Sequence, residues 1–359
     1  MSSAGKWSDN PALNPRIQAA LRRGKVKLQG FHSALMSHTL SKLSIEVLCS
    51  NMTFDPSALL LTPAVTLSSG CSSIDRLLRG GLPVGGVTEL FGPSAVGKTQ
   101  LALQFCLSVQ YPPEHGGLDS GAVYVCTEDM FPSRRLQQLI SEQSVLRSDV
   151  PLSLTPKSLS DRVFVEHAAD LPSLLSCLTR RVVLLLSRGL VRLVVVDSVA
   201  ALFRSEFEAS DWLQRHQQLL AVSSALRRIS RQFNAPVLCI NQVRPRPGPE
   251  PGLDPAVPLF SPAPSSFGPA LGLAWSNQLT VRLMMRREEG LLVRGDQSST
   301  PRSLQVNFAS HLPSADQSQG STASSGQSQG CVIIGVWREG LRGEDQSQQR
   351  EMDQSGASV

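Results

Sequence analysis

The sequence predicts an α/β fold with a mostly parallel central sheet, preceded by a small helical N-terminal domain. From residue 87 onward, short apolar runs of strand length alternate with longer segments in which apolar residues recur at helical spacing. Such alternation is typical of a parallel sheet that helices cover on both faces. Ahead of it, residues 11–50 carry apolar side chains at helical intervals among basic and serine residues. A chain of 359 residues is long enough for one α/β core and one small accessory domain.

Eight apolar runs are the strand candidates. The first five are assigned to the parallel sheet and lie at 87–91, 122–126, 163–165, 191–196 and 237–240. The last three follow a Pro- and Gly-rich loop and predict smaller antiparallel strands at 279–283, 304–306 and 332–336. Between the strands, the spacing of apolar residues predicts helices at 101–109, 171–186 and 212–233.

The chain is predicted to comprise six parts. Residues 51–72 are rich in Pro, Ser and Thr, as is typical of a linker, and the Pro- and Gly-rich loop at 243–270 is expected to be mobile. The run at 313–330 and the end of the chain lack the apolar residues that an ordered core needs. The parts are the helical domain at 1–50, the linker at 51–72, the core at 73–312, a Ser/Gln/Gly insertion at 313–330, a C-terminal strand region at 331–342 and a flexible tail at 343–359.

Composition and charge narrow the class of protein. Hydrophobic residues make up 41% of the chain and charged residues 18%, as in globular proteins. The 34 Lys and Arg residues against 29 Asp and Glu residues give a net charge of +5, which is compatible with a polyanionic partner but identifies none. The seven cysteines show no paired spacing for a metal, which indicates a reducing compartment. Because neither a signal peptide nor an apolar stretch of about 18 residues is recognisable, secretion and a membrane partner are not expected.

An eight-residue segment between a predicted strand and a predicted helix fits the phosphate-loop pattern GxxxxGK[ST]. Its glycines let the backbone curl so that N–H groups and the helix N-terminus face phosphate oxygens. Lys98 is then expected to reach the β- and γ-phosphates of ATP, and Thr99 is expected to bind Mg²⁺. The residues of this candidate cofactor site are Gly92, Pro93, Ser94, Ala95, Val96, Gly97, Lys98 and Thr99.

Three polar residues close predicted strands at the edge where ligands of open α/β sheets bind. Asp197 ends the apolar run 193–196 and is the candidate metal-side acid for Mg²⁺, with a helix cap as the alternative. Glu128 follows the strand at 122–126 and is the candidate general base, with a surface glutamate at the start of a helix as an equal alternative. Gln242 follows the strand at 237–240, where its amide is suited to bind the γ-phosphate but also fits as a plain loop amide.

The phosphate loop, Glu128, Asp197 and Gln242, in this order, resemble the RecA recombinase family in its eukaryotic branch. The resemblance covers most of residues 11–310 and is supported by the stretches 78–104, 116–139, 186–203, 236–243 and 269–283. It implies a RecA-like P-loop ATPase core that binds ATP and Mg²⁺. It also implies a role on DNA in homologous recombination and double-strand break repair, in the nucleus with a cytoplasmic pool.

The resemblance also assigns roles to single residues. Glu128 matches the catalytic glutamate, and Lys98 and Gln242 complete the candidate catalytic set. Arg135 matches the residue that stacks on adenine. Gln242 matches the amide that reports the γ-phosphate to a DNA-binding loop.

Two segments take the places of the DNA-facing loops in this family, namely 203–212 and 243–270. Their candidate contacts with DNA phosphates are Arg204, Arg244 and Arg246. For each arginine, a surface insertion that makes no DNA contact is an equal alternative.

The sequence departs from the family pattern at two places. Asp129 stands where the strand-exchange recombinase has glycine, and a second acid beside Glu128 favours slow or absent hydrolysis of ATP. Phe54 is followed by Asp, Pro and Ser, so the Phe-x-x-Ala spacing that joins recombinase subunits is missing.

The resemblance therefore implies a particular set of partners. They are a sister recombinase paralogue in a heterodimer, the strand-exchange recombinase filament that the pair supports, and single-stranded and branched DNA. A weak DNA-dependent ATPase and a non-hydrolysing interaction module stabilised by ATP remain the two alternatives. Another RecA-fold DNA motor is a third.

Overall fold

A computed structural model of the chain describes residues 65–149, 151, 154–205, 211–245, 267–309, 311–312 and 330–343. The predicted helical domain at 1–50, most of the linker, residues 313–329 of the insertion and residues 344–359 of the tail lie outside the described residues. So does most of the loop predicted to be mobile at 243–270. The architecture below therefore concerns the predicted core and the strands that follow it.

Fifteen strands form within the described residues, and the apolar runs of the sequence mark the central ones. The strands are β1 (Thr66–Leu67), β2 (Leu82–Pro83), β3 (Val87–Phe91), β4 (Gly121–Cys126), β5 (Val163–His167), β6 (Val191–Asp197), β7 (Val237–Asn241), β8 (Val243–Pro245), β9 (Phe267–Pro269), β10 (Val281–Arg287), β11 (Leu292–Arg294), β12 (Gln297–Ser299), β13 (Arg302–Ala309), β14 (Cys331–Val336) and β15 (Leu341–Gly343).

Helices connect most of the parallel strands, as the alternating pattern predicts. A π-helical stretch, Cys177–Val182, joins two of them into the single long segment that the sequence predicts at 171–186. The α-helices are α1 (Ser72–Leu77), α2 (Lys98–Ser108), α3 (Ser133–Ser141), α4 (Gln143–Leu146), α5 (Pro156–Asp161), α6 (Leu171–Ser176), α7 (Val183–Ser187), α8 (Val199–Ser205), α9 (Trp212–Phe233) and α10 (Gly272–Ser276). Among the described residues, no helix is both long and apolar enough to cross a membrane.

The main sheet has nine strands in the order β15-β14-β13-β10-β3-β7-β6-β4-β5. The six strands from β10 to β5 run parallel, and β13, β14 and β15 add an antiparallel edge. The prediction of a mostly parallel sheet is confirmed. The prediction that the strand near 279–283 belongs to a small antiparallel group is wrong in part, because β10 pairs parallel with β3 as well as antiparallel with β13.

Apolar side chains fill both faces of the sheet, which explains why its strands are continuous apolar runs in the sequence. Along β6, Leu193 and Val195 pack with α2 and α3 on one face. Val194 and Val196 pack with α6, α7 and α9 on the other face. With both faces covered, the ends of the parallel strands are where polar side chains meet solvent.

The folded core extends beyond the predicted boundaries at both ends. Residues 65–72 were predicted to be linker, yet β1 pairs with β2 and Leu67 is fully buried. The predicted C-terminal strand region belongs to the main sheet through β14 and β15. The side chain of Gln104 ties these two segments to α2, because it donates to Ser69 O at 2.8 Å and accepts from Leu341 N at 2.8 Å.

Candidate functional site

The phosphate loop connects the end of β3 to the start of α2, as predicted. Gly97 immediately precedes the helix with a φ of 106°, in the left-handed region that glycine tolerates best. At the start of the loop, a Cβ on Gly92 would lie 2.1 Å from the carbonyl oxygen of Met285 on β10. The loop thus leaves the sheet in direct contact with the neighbouring strand, and glycine is required there for steric reasons.

Lys98 points back over this loop. Its ammonium donates to the carbonyl oxygens of Gly92 at 2.8 Å and of Pro93 at 2.6 Å. The residue is only 8% exposed, and burial lowers the pKa of its ammonium while the charge of Asp197 opposes that shift. The side chain therefore holds a positive charge at the loop with carbonyl groups as its hydrogen-bond partners.

Asp197 and Thr99 meet at the end of β6. Thr99 Oγ1 donates to Asp197 Oδ2 at 2.9 Å, and the hydroxyl of Tyr124 on β4 donates to the same oxygen at 2.5 Å. Burial, and then the neighbouring charge of Asp197, raise the pKa of Tyr124 well above its usual range. Tyr124 thus stays a neutral donor that fixes the carboxylate beside Thr99. Tyr124 is not among the predicted site residues, although its position on the strand before Glu128 is a usable signal.

Glu128 has two partners. Gln242 Nε2 donates to Glu128 Oε2 at 2.9 Å, and Arg204 Nη2 lies 3.6 Å from Glu128 Oε1. The Glu128 and Arg204 side chains are each 46% exposed. Arg204 lies at the end of α8, before residues 206–210, and Gln242 lies before the 246–266 segment. The stems of both predicted DNA-facing segments therefore reach one carboxylate.

A buried network fixes the backbone beneath Gln242. The backbone N–H of Gln242 donates to Asn241 Oδ1 at 2.7 Å, and Asn241 Nδ2 donates to Glu89 Oε1 at 2.5 Å. Glu89 is fully buried and also accepts from Trp275 Nε1 at 2.8 Å and from Arg282 Nε at 2.5 Å. Strands β3, β7 and β10 are thereby joined under the site, and the network holds residues on both sides of the 246–266 segment.

A single cavity of about 330 Å³, which we call the carboxylate cavity, is lined by Ser94 and Ala95 of the phosphate loop and by five further predicted site residues. Besides these five, its lining includes Asp129 and Ser198, whose buried hydroxyl has no hydrogen-bond partner among the described residues. The five residues are Lys98, Thr99, Glu128, Asp197 and Gln242.

A second cavity, of about 560 Å³, adjoins the other side of the phosphate loop, and we call it the arginine cavity. Ala95, Gly97, Lys98 and Thr99 form the phosphate-loop part of its lining. Arg135, Arg302 and Arg338 add three further cations, and no described Asp or Glu lines the space. Arg302, on β13, and Arg338, in the turn between β14 and β15, belong to no motif, and neither is among the predicted site residues.

Arg135 lies in the arginine cavity and is held by four acceptors. Its guanidinium donates to Gln100 Oε1 at 2.6 Å, to Gln138 Oε1 at 2.5 Å, and to the carbonyl oxygens of Trp337 at 2.6 Å and Arg338 at 2.9 Å. The residue therefore ties α2 and α3 to the turn between β14 and β15. Its predicted stacking on adenine remains a prediction.

The three arginines predicted to contact DNA differ in how much of each the structure describes. The structure pairs Arg204 with Glu128, and a contact with DNA remains a prediction for this residue. Arg244 lies on β8, but its side chain and the whole of Arg246 are outside the described residues.

Comparison with known proteins places this geometry in a family. The sequence model of the Rad51 family matches residues 62–294. The chain is 52% identical over 255 residues to the DNA repair protein XRCC3 of Bos taurus, covering 69% of this chain and 70% of that protein. It is 43% identical over 327 residues to the DNA repair protein XRCC3 of Mus musculus, covering 85% and 93% of the two chains.

More distant relatives share the same region. The chain is 29% identical over 317 residues to the DNA repair protein rhp57 of Schizosaccharomyces pombe, covering 78% of this chain and 87% of that protein. The resemblance to eukaryotic RecA-type recombinases is confirmed, and the chain belongs to the Rad51 family.

Proposed function

We propose that this chain is an ATP-binding DNA repair protein of homologous recombination that acts with another recombinase paralogue. One observation carries the proposal: Lys98, Thr99, Glu128, Asp197 and Gln242 line one cavity at the phosphate loop of a Rad51-family chain. The relatives reported above are named for DNA repair.

The chemistry of the loop supports a nucleotide triphosphate as its ligand. Helix α2 has eleven residues, and its N-terminus opens onto both cavities at Lys98 and Thr99. A helix N-terminus and a buried ammonium both favour negative charge. The carbonyl oxygens of Gly92 and Pro93 are weaker partners for the Lys98 ammonium than phosphate oxygens, since ion pairs form the stronger hydrogen bonds.

The donor set beside Lys98 fits Mg²⁺. Thr99 Oγ1 and Asp197 Oδ2 are hard oxygen ligands 2.9 Å apart, and Mg²⁺ is bound through one or two such oxygens together with water and phosphate. The buried Ser198 hydroxyl, without a partner among the described residues, is a further polar group facing that space. A bound Mg²⁺ supplies neutralisation of charge on the β- and γ-phosphates.

Glu128 and Gln242 are suited to act at the γ-phosphate of ATP. Gln242 would bind that phosphate, and Glu128 would activate the water that attacks it. Glu128 is the general base in the proposal, and it would act by accepting a proton from water about 3 Å from its carboxylate. Its two oxygens are contacted by Gln242 at 2.9 Å and by Arg204 at 3.6 Å, and these contacts compete with water for the carboxylate without excluding it, since each oxygen can accept a further hydrogen bond. Weak turnover that depends on DNA is the form of ATP hydrolysis that we propose.

The DNA-facing part of the proposal rests on the two segments whose stems meet at Glu128. Arg204, Arg244 and Arg246 supply positive charge for the phosphates of single-stranded or branched DNA. A heterodimer with a sister paralogue, support of the recombinase filament and action in the nucleus complete the proposal. Purifying the chain from cells at moderate salt and identifying the proteins that accompany it tests the partner directly.

A second function is favoured by one observation. Both Glu128 oxygens already have partners, and the carboxylate of Asp129 lines the same cavity. An adjacent negative charge and an occupied base both oppose hydrolysis. On this reading the chain is a non-hydrolysing module in which ATP stabilises the interface with the paralogue, and the paralogue holds most of the DNA.

Two substitutions separate these functions in cells that lack the endogenous protein. We expect Lys98→Ala to weaken ATP binding by about 100-fold and thereby to abolish recombinational repair of an induced double-strand break. Glu128→Gln should reduce repair if turnover is needed, and should leave both repair and the paralogue complex intact if ATP only stabilises an interface. Glu114→Gln, an exposed glutamate in the turn at Pro113–His115, is the matched control. An unchanged ATP titration of the Lys98 variant would refute the nucleotide site itself.

A further inference from the structure

Arg302 stands beside the phosphate loop although it lies about 200 residues away in the sequence. It begins β13, and its Cδ lies 3.6 Å from where a Cβ on Gly97 would be. Its side chain lines the arginine cavity together with Gly97, Lys98 and Thr99. The antiparallel edge of the sheet therefore brings a second cation to the loop.

The hydrogen bonds of Arg302 leave part of its guanidinium unused. Nη1 donates to Ser299 Oγ at 3.1 Å and to Thr300 O at 2.6 Å, which positions the side chain. Nε is buried and has no hydrogen-bond partner among the described residues. A buried donor without a partner is unfavourable, so a ligand that accepts from it gains affinity.

Arg302 carries a charge that no described carboxylate compensates. Arg135 likewise has only neutral partners, but four carbonyl and amide oxygens hold its guanidinium. Arg338 pairs with Asp296 at 3.1 Å on the exposed side. Arg302 makes no ion pair with any described residue, and both burial and the nearby Arg287 lower the pKa of its guanidinium. An uncompensated arginine in a space without described carboxylates favours an anion, and the planar guanidinium matches phosphate geometry.

We propose that Arg302 is a phosphate-binding residue of the nucleotide site and that it contacts the α- or β-phosphate. The inference rests on the proposed ATP site and adds a residue to it. The carboxylate cavity contains Glu128 and Gln242, the groups suited to the γ-phosphate, whereas Arg302 lines the cavity on the other side of the loop. Arg302 therefore contributes equally to the binding of nucleoside diphosphates and triphosphates.

The test is calorimetric titration of the full chain with ADP and with the non-hydrolysable triphosphate AMP-PNP, each with Mg²⁺. We expect Arg302→Gln to raise the Kd of both nucleotides by the same factor, about tenfold or more, as for loss of a charge-assisted hydrogen bond. Arg302→Lys keeps the charge but loses the fork, and should weaken both nucleotides by a smaller factor. Arg134→Gln is the matched control and should change either Kd by less than about twofold, because Arg134 is an exposed residue of α3 that lines neither cavity.

Four results of these titrations would overturn the proposal in whole or in part. If Arg302→Gln bound both nucleotides with wild-type affinity, the proposal for Arg302 would be overturned. Loss of binding in Lys98→Ala would, in that case, still support the ATP site itself. Weaker binding of AMP-PNP with unchanged binding of ADP would place Arg302 at the γ-phosphate and overturn the assignment to the α- or β-phosphate. A wild-type chain that bound neither nucleotide would overturn the ATP site and this proposal together. Should Arg302→Gln fail to fold, Arg302→Lys carries the test, and its unchanged affinity for both nucleotides would overturn the proposal.

Discussion

The two cavities beside the phosphate loop share Ala95, Lys98 and Thr99 but differ in how the fold builds them. The carboxylate cavity takes Glu128, Asp197 and Gln242 from the carboxyl ends of the neighbouring parallel strands β4, β6 and β7. Besides the shared Lys98, the arginine cavity takes Arg135 from α3, Arg302 from β13 and Arg338 from the turn that follows β14. Parallel topology thus gathers acids and an amide on one side, and the antiparallel edge gathers arginines on the other.

The difference between the two cavities matches two parts of the proposed ligand ATP, namely the γ-phosphate with its Mg²⁺ and the remaining phosphates. Mg²⁺ and an attacking water need carboxylates, which only the first side supplies. The remaining phosphates need cations, which the second side supplies without competing acids among the described lining residues. On this account a nucleoside triphosphate spans both cavities, and each side can be perturbed separately.

The largest expected effect comes from Lys98, the charged residue that both cavities share. We expect Lys98→Ala to weaken ADP and AMP-PNP alike by about 100-fold, because a charged hydrogen-bond donor contributes roughly 3 kcal/mol. Fluorescence titration with labelled nucleotides measures this change. Lys157→Ala, at an exposed position in α5, is the control and should bind as the wild type does. A loss confined to the triphosphate would show that Lys98 serves only the carboxylate cavity.

Arg135→Ala tests whether the arginine cavity is also a structural joint. Loss of its bonds to Gln100, Gln138 and the carbonyls of Trp337 and Arg338 should lower the free energy of unfolding by about 1 to 3 kcal/mol. Urea unfolding followed by circular dichroism measures this. The adjacent, exposed Arg134→Ala provides the comparison. Equal stability of the two variants would mean that Arg135 does not hold the β14–β15 turn.

Asp197→Asn should affect only the carboxylate cavity. The substitution keeps the size of the side chain and removes the charge that Mg²⁺ requires. We expect AMP-PNP in Mg²⁺ to bind about tenfold more weakly, while ADP binding in EDTA stays unchanged. Calorimetry with and without EDTA checks both. A parallel loss of metal-free ADP binding would indicate general damage to the loop and would remove the distinction between the cavities.

The smallest expected effect is at Arg204. Its ion pair with Glu128 is long and half exposed, so Arg204→Gln should change the free energy of unfolding by less than about 0.5 kcal/mol. If Arg204 contacts a DNA phosphate, the same variant should reduce the slope of log affinity against log salt for single-stranded DNA by about 0.7. Fluorescence anisotropy in a salt series measures the slope. An unchanged slope would leave Arg204 as a partner of Glu128 alone.

Much of the carboxylate cavity could be predicted from the sequence. The phosphate loop has a fixed spacing, and Glu128, Asp197 and Gln242 each follow an apolar run whose register points to one edge of a parallel sheet. Local pattern and parallel topology together determine where such residues converge. The boundaries of β3 and α9 also match their predicted ranges.

Most of the arginine cavity could not be predicted from the sequence, for a physical reason. Arg302 and Arg338 reach the loop only because β13 pairs with β10 and β14 pairs with β13, and apolar periodicity does not specify strand partners. The same limit explains the error at β10, whose parallel partner β3 lies nearly 200 residues earlier. Leu67 was assigned to a linker because its neighbours are Thr, Ser and Gly, whereas its burial depends on β2.

The most direct test is an experimental structure of the full chain, with any accompanying paralogue, bound to AMP-PNP and Mg²⁺. We expect the γ-phosphate and the metal to lie in the carboxylate cavity, within hydrogen-bond or coordination distance of Lys98, Thr99 and Gln242. We expect the rest of the nucleotide to lie along the arginine cavity. Density for the nucleotide that left either cavity empty, or that placed Glu128 and Asp197 away from the γ-phosphate, would contradict it.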